Sequence, residues 1–518
     1  MKNILLTIFT FFLFSTILTA QITFQKTFGN AYLYTDYSVD LTSDGGYIIT
    51  CYGASAGGIS LIKVNASGDT LWTRNFTGLI HYAGWDVHQT TDGGYFLAGT
   101  ASSLAGNTSA CLIKTDSGGN ILWAKTIGGP FNEYGNSAQQ TNDGGYIICG
   151  QSLSYAAGPV DIYLVKTDGN GDTLWTKTFG GTAIDEGISV MQTNDGGYII
   201  TGTTDSFGAG SSDIYLIKTD GNGNMIWSKT FGGTGFDEAS DVKQTNDGGY
   251  IIAGMTFSFG AGSYDMYLIR TDVNGDTLWT KTFGGGAYEA AYSVQQTSDG
   301  GFIIGGMAHS FGAGNEDVYL VKTNSTGDLL WSKVYGGVND DDGFCFRQTV
   351  DSGFIICGFT YSFNNTGPPR IYLIKTDSNG SSGCNENNAA TIVTIPVTQT
   401  STPATIVSSG GNVGTISFAV SSGSDFATLC TSVGIEEPSR ENNFSLFPNP
   451  ASSQLNFSFP ETGNYFLTIK NVLGETILVK SVSEKEFSVD VKDFPAGIYF
   501  VTVTDRKKNM VTRKFVKM

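Results

Sequence analysis

Charge is scarce in this chain. Only 15% of its 518 residues are Asp, Glu, Lys or Arg, against about 25% in an average globular protein. Basic charge is scarcer still: residues 1–435 hold 18 Lys and Arg against 37 Asp and Glu, and residues 436–518 hold 11 against 10. No basic face is available to displace counterions, which excludes a nucleic-acid partner. Histidine numbers three, at His81, His88 and His309, too few for a zinc centre built on imidazoles. No G-x-S-x-G elbow marks a serine nucleophile. Beyond residue 20 no apolar run approaches the length of a membrane helix. No stretch holds a 3.6-residue apolar period, which excludes a helical solenoid.

Glycine and aromatics are abundant instead. There are 69 glycines, with 7 Trp, 24 Tyr and 34 Phe. The glycines lack a three-residue period, so collagen is excluded, and the aromatic content excludes disorder. Short strands joined by glycine turns remain, and the chain reads as all-β.

The N-terminus reads as a secretory signal peptide, residues 1–20: Lys2, an apolar run over 4–18, then Leu18-Thr19-Ala20 before Gln21. A repeat dominates the chain from there to about residue 380. Asp-Gly-Gly-aromatic, or a near copy, begins at Asp44, Asp92, Asp143, Asp195, Asp247, Asp299 and Asp351. Each unit holds four strand-like runs, in the clearest case 188–193, 198–204, 213–219 and 225–231. Seven such units predict a β-propeller of four-stranded blades over residues 21–383. Trp72, Trp123, Trp175, Trp227, Trp279 and Trp331 mark six fourth strands, and the seventh unit lacks one. The missing strand sits at the other end, in Ile22-Thr23-Phe24-Gln25-Lys26-Thr27-Phe28-Gly29. It is expected to close the ring and remove an open sheet edge. If it lies outermost, as in WD-repeat propellers, the first run of each unit lines the channel. The units resemble the tandem propeller repeats of secreted bacterial proteins, a likeness that speaks to architecture and little to function.

Internal comparison of the units singles out several positions. Gly46, Gly94, Gly145, Gly197, Gly249, Gly301 and Gly353 are constant, as a turn needing positive φ requires. Thr42, Thr90, Thr141, Thr193, Thr245, Thr297 and Thr349 are constant too, and read as hydroxyls bonding the turn. Loops such as Asp168-Gly169-Asn170-Gly171-Asp172 suggest calcium at first sight. They lack Gly at position six and Glu at position twelve of an EF-hand, and a hairpin turn accounts for them, so no metal or cofactor is expected.

Two in-register sets are candidate ligand sites. Tyr34, Tyr82, Glu133, Asp185, Asp237, Glu289 and Asp341 lie between the fourth strand of one unit and the first of the next. They are either a cation or sugar site at the channel mouth, or carboxylates that bond neighbouring backbone N–H groups. Asp40, His88, Gln139, Met191, Lys243, Gln295 and Arg347 change chemistry in every unit. They are either specificity residues or channel lining, with His88 and Arg347 the strongest candidates. Arg347 and Arg370 are too few for a sialidase-like arginine cluster. Units 1, 2 and 7, neighbours in a closed ring, diverge most.

Cys384 and Cys430 bracket a Thr/Ser/Val-rich stretch and are expected to form a disulfide in an exported protein. The segment 384–435 between the larger domains reads as a small sheet or an ordered linker. Residues 436–518 give about seven amphipathic strands, expected to form an Ig-like β-sandwich. They carry Phe447-Pro448-Asn449-Pro450-Ala451, Phe494-Pro495-Ala496-Gly497-Ile498-Tyr499 and a final Lys514-Phe515-Val516-Lys517-Met518. This resembles the C-terminal sorting domain of the type IX secretion system of certain Gram-negative bacteria. The resemblance implies outer-membrane translocation, a secreted or cell-surface destination, and key roles for Pro448, Asn449, Pro450, Gly497, Lys514 and Lys517. The expected function is a non-catalytic binding module for a glycan or protein, with no nucleic-acid partner and no transmembrane span. The alternative is an extracellular polysaccharide-degrading enzyme with acids at the channel mouth.

Overall fold

The computed structural model describes residues 21–29, 38–53, 58–77, 80–102, 107–363, 368–415, 419–421, 426–434, 444–447, 451–459, 462–471, 475–504 and 510–517. Among them every regular element is a strand, and no helix is long and apolar enough to cross a membrane. The chain divides into two compact units, one of them Gln21–Val433 and the other containing Gly434–Met518.

Seven antiparallel sheets make up the first unit. Blade 3 shows the pattern, with strands Glu133–Gln140, Tyr146–Ser152, Asp161–Thr167 and Thr173–Gly180 paired in sequence order. First strands touch first strands from blade to blade all the way round, Ser38–Leu41 of blade 1 meeting Asp341–Gln348 of blade 7. The ring is therefore closed, with first strands innermost. Blade 7 takes Gln21–Phe28 as its fourth strand, antiparallel to Arg370–Thr376, with Phe24 opposite Lys375 and Phe28 opposite Ile371.

Aromatic stacking explains the spacing of the repeat. Each fourth-strand Trp meets the second-strand aromatic of the next blade edge-on, as in Trp175–Tyr198 at 5.9 Å and Trp331–Phe354 at 5.9 Å. The next blade's Asp-x-x-Gly turn closes over the same ring. Gly171 has φ +77°, and a Cβ there would lie 2.8 Å from Trp123. Phe24 substitutes for Trp at the closing junction, lying under Gly68 and in one core with Tyr47 of blade 1. Lys26 repeats there the ion pair that Lys229 makes with Asp276, bonding Asp69 at 2.6 Å.

The constant glycine of each Asp-Gly-Gly turn has a different cause from the expected one. Positive φ belongs to the preceding residue, such as Gly45 at +81° and, in blade 7, Ser352 at +64°. At Gly46 a Cβ would lie 2.2 Å from the Val64 carbonyl oxygen and 2.6 Å from the Lys63 ammonium. Close approach, not dihedral freedom, excludes a side chain. Each turn Asp accepts a hydroxyl bond from its Thr and pairs with a buried Lys or Arg, as Thr42–Asp44 at 2.6 Å and Lys63–Asp44 at 2.9 Å.

The segment 384–435 is neither a separate small sheet nor a free linker. It runs backwards round the ring and adds a fifth, outer strand to every blade. Glu386–Asn388 joins blade 6, Ile392–Thr394 blade 5, Gln399–Ser401 blade 4 and Ile406–Ser408 blade 3. Asn412–Thr415, Ala419–Ser421 and Phe426–Gly434 then cover blades 2, 1 and 7. The borrowed N-terminal strand is thus not outermost; it lies between Arg370–Thr376 and Phe426–Gly434. The belt has its own seven-residue period. Thr391, Thr398 and Thr405 meet the hydroxyls of Tyr319, Tyr267 and Tyr215 in successive blades. Thr394, Ser401 and Ser408 stand opposite Thr282, Thr230 and Thr178. Seven extended residues reach at most about 25 Å, one step along the rim. The belt strands are mostly three residues long, with Pro396 and Pro403 between some of them, so the edge they expose is a poor template for pairing.

The disulfide Cys384–Cys430 joins the start of the belt to its last strand and makes it a hoop. Beside it Gln25 is fully buried. Its amide donates to Ser382 at 2.8 Å and accepts from Tyr372 at 2.6 Å and Asn385 at 2.9 Å. The other five cysteines are buried free thiols.

The second unit is a sandwich of a three-stranded and a four-stranded antiparallel sheet around Phe457, Leu467, Ile469, Val501 and Phe515. Seven strands in two sheets match the Ig-like expectation.

Replacing Cys384 and Cys430 together by Ser opens the hoop. The crosslink spans 46 residues, so chain entropy predicts a loss on the order of 4 kcal/mol in the denaturant unfolding of the propeller. Mass spectrometry of the parent should find neither thiol free, and unchanged unfolding of the double variant would contradict the hoop.

Candidate functional site

The repeat builds one face of the ring from the loops joining second to third strands and fourth to first strands. The expected mouth carboxylates lie here, at the head of each first strand. Glu133, Asp185, Asp237, Glu289 and Asp341 are all fully buried. Each closes its loop from within. Asp237 accepts the Gly233 N–H at 2.7 Å and the Ser258 hydroxyl at 2.6 Å. Glu289 accepts Gly285 N–H at 2.7 Å and Ser310 N–H at 2.8 Å. These carboxylates act as pins between loops and are not offered to a ligand. Tyr34 lies outside the described residues, as does the side chain of Tyr82.

A second buried acid converges on each pin in four junctions: Asp161 on Asp185, Asp213 on Asp237, Asp265 on Glu289 and Asp317 on Asp341. They meet over a glycine. A Cβ on Gly232 would lie 1.9 Å from Asp213 Oδ1 and 2.7 Å from Asp237 Oδ2. Burial first, and then the neighbouring pin, raises the carboxyl of Asp161, Asp213 and Asp265, and Asp317 is pushed up to about 7. Backbone N–H groups offset only part of this. Oδ1 of Asp161 and of Asp265 has no hydrogen-bond partner among the described residues, in keeping with burial favouring the neutral carboxyl.

His88 and Arg347 lie in the channel, and the fold brings them together across blades 7, 1 and 2. His88 Nδ1 is 3.3 Å from Asp40 and Nε2 is 3.2 Å from Asp86, while Arg347 Nε is 3.9 Å from Asp40. Despite burial, these two carboxylates push the imidazole up to about 10. A ring held at both nitrogens by carboxylates that favour its protonated form is a poor base at neutral pH. Lys243 pairs with Asp241 at 2.6 Å, and Gln139 and Gln295 accept N–H bonds from Gln192 and Gln348 of the next blade. At His88, Gln139 and Gln295 the variable channel position thus joins neighbouring blades, whereas Lys243 pairs within its own strand.

Internal comparison missed a further set on the loop face. Beside the constant pins stand positions that change from unit to unit. One gives Ile184, Phe236, Tyr288 and Asp340, and another gives Asp205, Phe257, His309 and Tyr361. Two aromatic chains run through this region, the second by way of the buried core residues Phe344 and Phe359. Phe257–Tyr264–Tyr288–His309 are linked at 5.2, 5.2 and 5.4 Å. Tyr292–Phe344–Phe359–Tyr361 are linked at 5.1, 5.9 and 5.7 Å. Around them stand Glu186, Asp205, Glu238, Glu316, Asp340 and Asp342. Among the described residues none of these pairs with Lys or Arg; Glu316 meets only His309, at 3.3 Å. Asp342 is 7% exposed and its Oδ1 has no partner. Burial, then Glu316, Asp340 and Asp341, push it up to about 8.

In the C-terminal unit, residues 445–518 match the secretion system C-terminal sorting domain family. The tail is a type IX sorting domain. It makes the chain a secreted or cell-surface protein. Of its expected key positions, Pro448, Asn449 and Pro450 lie outside the described residues, Gly497 pairs with a buried Lys517, and Lys514 is exposed. The chain is 26% identical to the regulatory protein FlaEY of Caulobacter vibrioides over 253 residues, 41% of this chain and 26% of that protein. Among solved structures it is similar to PorZ, a surface component of the type IX secretion system of Porphyromonas gingivalis, at 9% identity and a TM-score of 0.40, covering 94% of this chain and 60% of that one. It is similar also to the extracellular domain of BT4673 from B. thetaiotaomicron, at 10% identity and a TM-score of 0.40, covering 94% and 56%.

The raised carboxyls of Asp161, Asp213, Asp265 and Asp317 set a pH dependence. Carboxyls whose folded pKa is raised lose stability as pH climbs from the unfolded value to the folded one. Propeller stability should therefore fall between about pH 4 and pH 7. Asp317→Asn, which keeps a neutral donor, should flatten part of that slope in urea titrations. An identical slope in the variant would contradict a raised carboxyl at Asp317.

Proposed function

We propose that the protein is a binding module displayed outside the cell, with its ligand, a glycan or a protein, seated on the loop face over the two aromatic chains. One observation carries this reading: the units differ most where aromatics and unpaired carboxylates gather beside pins that hardly change. A rigid ring held by uniform junctions can vary a few surface side chains without altering its frame. Exposed Phe236 and Phe257 lie on the same face, and rigid aromatics beside polar groups are what carbohydrate and protein ligands engage.

A second reading, polysaccharide hydrolysis, is favoured by Asp342. A carboxyl pushed up to about 8 beside Glu316 and Asp340 has the protonation expected of a general acid with a neighbouring carboxylate. Asp342→Asn separates the two readings, because it would abolish turnover and leave binding to the rings in place.

The test is a glycan array and a pull-down with the mature chain, run beside Tyr288→Ala. The variant should melt like the parent and lose captured ligand at least about tenfold, as loss of a central aromatic anchor implies. Ligand capture unchanged by Tyr288→Ala would place binding elsewhere and defeat the proposal.

A further inference from the structure

Acidic charge is distributed unequally between the two faces of the ring. On the face of the Asp-Gly-Gly turns, Asp44, Asp92, Asp143, Asp195, Asp299 and Asp351 each meet a lysine at 2.9 Å, and Asp247 meets Arg270. Those turns are neutralised within the fold. On the loop face the pins are buried, and Glu186, Asp205, Glu238, Asp340 and Asp342 have no such partner among the described residues. On the loop face, among the described residues, this unpaired negative charge gathers around Tyr288 and Tyr292. Burial, and then Glu238, Asp342 and Glu316 among its neighbours, push Tyr288 up to about 12, and the same three carboxylates act on Tyr292. Asp342 adds an observation that an acidic cluster alone does not supply. Its Oδ1 is buried beside Glu316, Asp340 and Asp341 with no donor from the fold among the described residues, so it is an acceptor that a ligand's donor can satisfy.

We infer that the ligand of this face carries protonated amines, one of which seats against Asp342 between Tyr288 and Tyr292, and that it is an amine-bearing glycan. This rests on the loop-face binding reading above and narrows it. An ammonium supplies three donors to a cluster that has only acceptors, and it is attracted to the faces of tyrosine rings. A sugar backbone accounts for the rest of the surface: its C–H faces pack on the flanking aromatics while its hydroxyls donate to Glu238 and Glu316. Seating the cation favours the ionised form of Asp342, so binding releases a proton from that carboxyl to solvent. Binding and proton release are linked.

The probes are an unsubstituted glucosamine oligomer and its N-acetylated counterpart, which share a backbone and differ in charge. Calorimetry with the mature chain at about pH 5.5, where the oligomer's amines and Asp342 both hold their protons, in two buffers of different ionisation enthalpy, should show the amine form binding at least about tenfold tighter with proton release. Its affinity should fall as salt is raised. Asp342→Asn should abolish the proton release and bring the two oligomers within about threefold, and Glu238→Gln should weaken the amine form alone. Equal or tighter binding of the acetylated form, or an Asp342→Asn variant with full preference and full proton release, overturns the inference while loss of binding in Tyr288→Ala keeps the loop-face reading. Capture of polylysine without either oligomer overturns the glycan assignment, and no binding of any probe overturns the inference outright. Binding untouched by Tyr288→Ala overturns the loop-face reading itself.

Discussion

The pairing of Gln21–Phe28 with Arg370–Thr376 is the contact on which the propeller depends. Each other blade takes its four strands from one stretch of chain and needs no distant partner for them. The closing blade joins residues roughly 350 positions apart, so its loop entropy is large, and ring-wide first-strand packing becomes possible only when it forms. The residues answer that demand. Phe24 and Phe28 are fully buried, each contributing roughly 1.5–3 kcal/mol, and Gln25 has partners on the neighbouring strand and at the root of the belt. The belt then covers this strand from outside, so the weakest blade by connectivity is held on both edges and crosslinked beside them.

Between blades the same logic is repeated in polar form. Burying a carboxylate is costly unless donors meet it, and the pins meet backbone N–H groups of their own loops and hydroxyls of the adjoining one. Where two acids meet, the raised carboxyl's preference for its neutral form relieves the repulsion. In the channel, His88 does the same work between Asp40 and Asp86. Uniform junctions leave the loop face free to differ, and acids without a Lys or Arg partner among the described residues stand there.

Much of this was legible in the sequence. Seven units, the missing fourth strand and its copy at residues 22–29 were readable because the repeat supplies its own alignment. The disulfide and the sorting tail were readable from cysteine placement and resemblance. The belt was not. Its strands are too short to show alternation, and its signal is a seven-residue recurrence of Thr391, Thr398 and Thr405 that matters only once a rim exists to bind it. The pins were found as positions, but burial decides what a carboxylate does, and spacing does not report burial. Tyr288, Tyr292 and Asp342 were missed although the signal was present: they vary beside constant neighbours, the same mark that drew attention to His88 and Arg347.

The most direct test of closure is analytical ultracentrifugation and thermal unfolding of the chain lacking residues 21–29, beside a chain lacking an equal length at 401–409 of the belt. Closure by the N-terminal strand predicts that the first deletion exposes the edge of Arg370–Thr376, self-associates and unfolds well below the parent, since two buried phenylalanines and a strand ladder are lost at once. The belt deletion should remain monomeric and lose less. A chain without residues 21–29 that stays monomeric and as stable as the parent would contradict a ring closed by its own N-terminus.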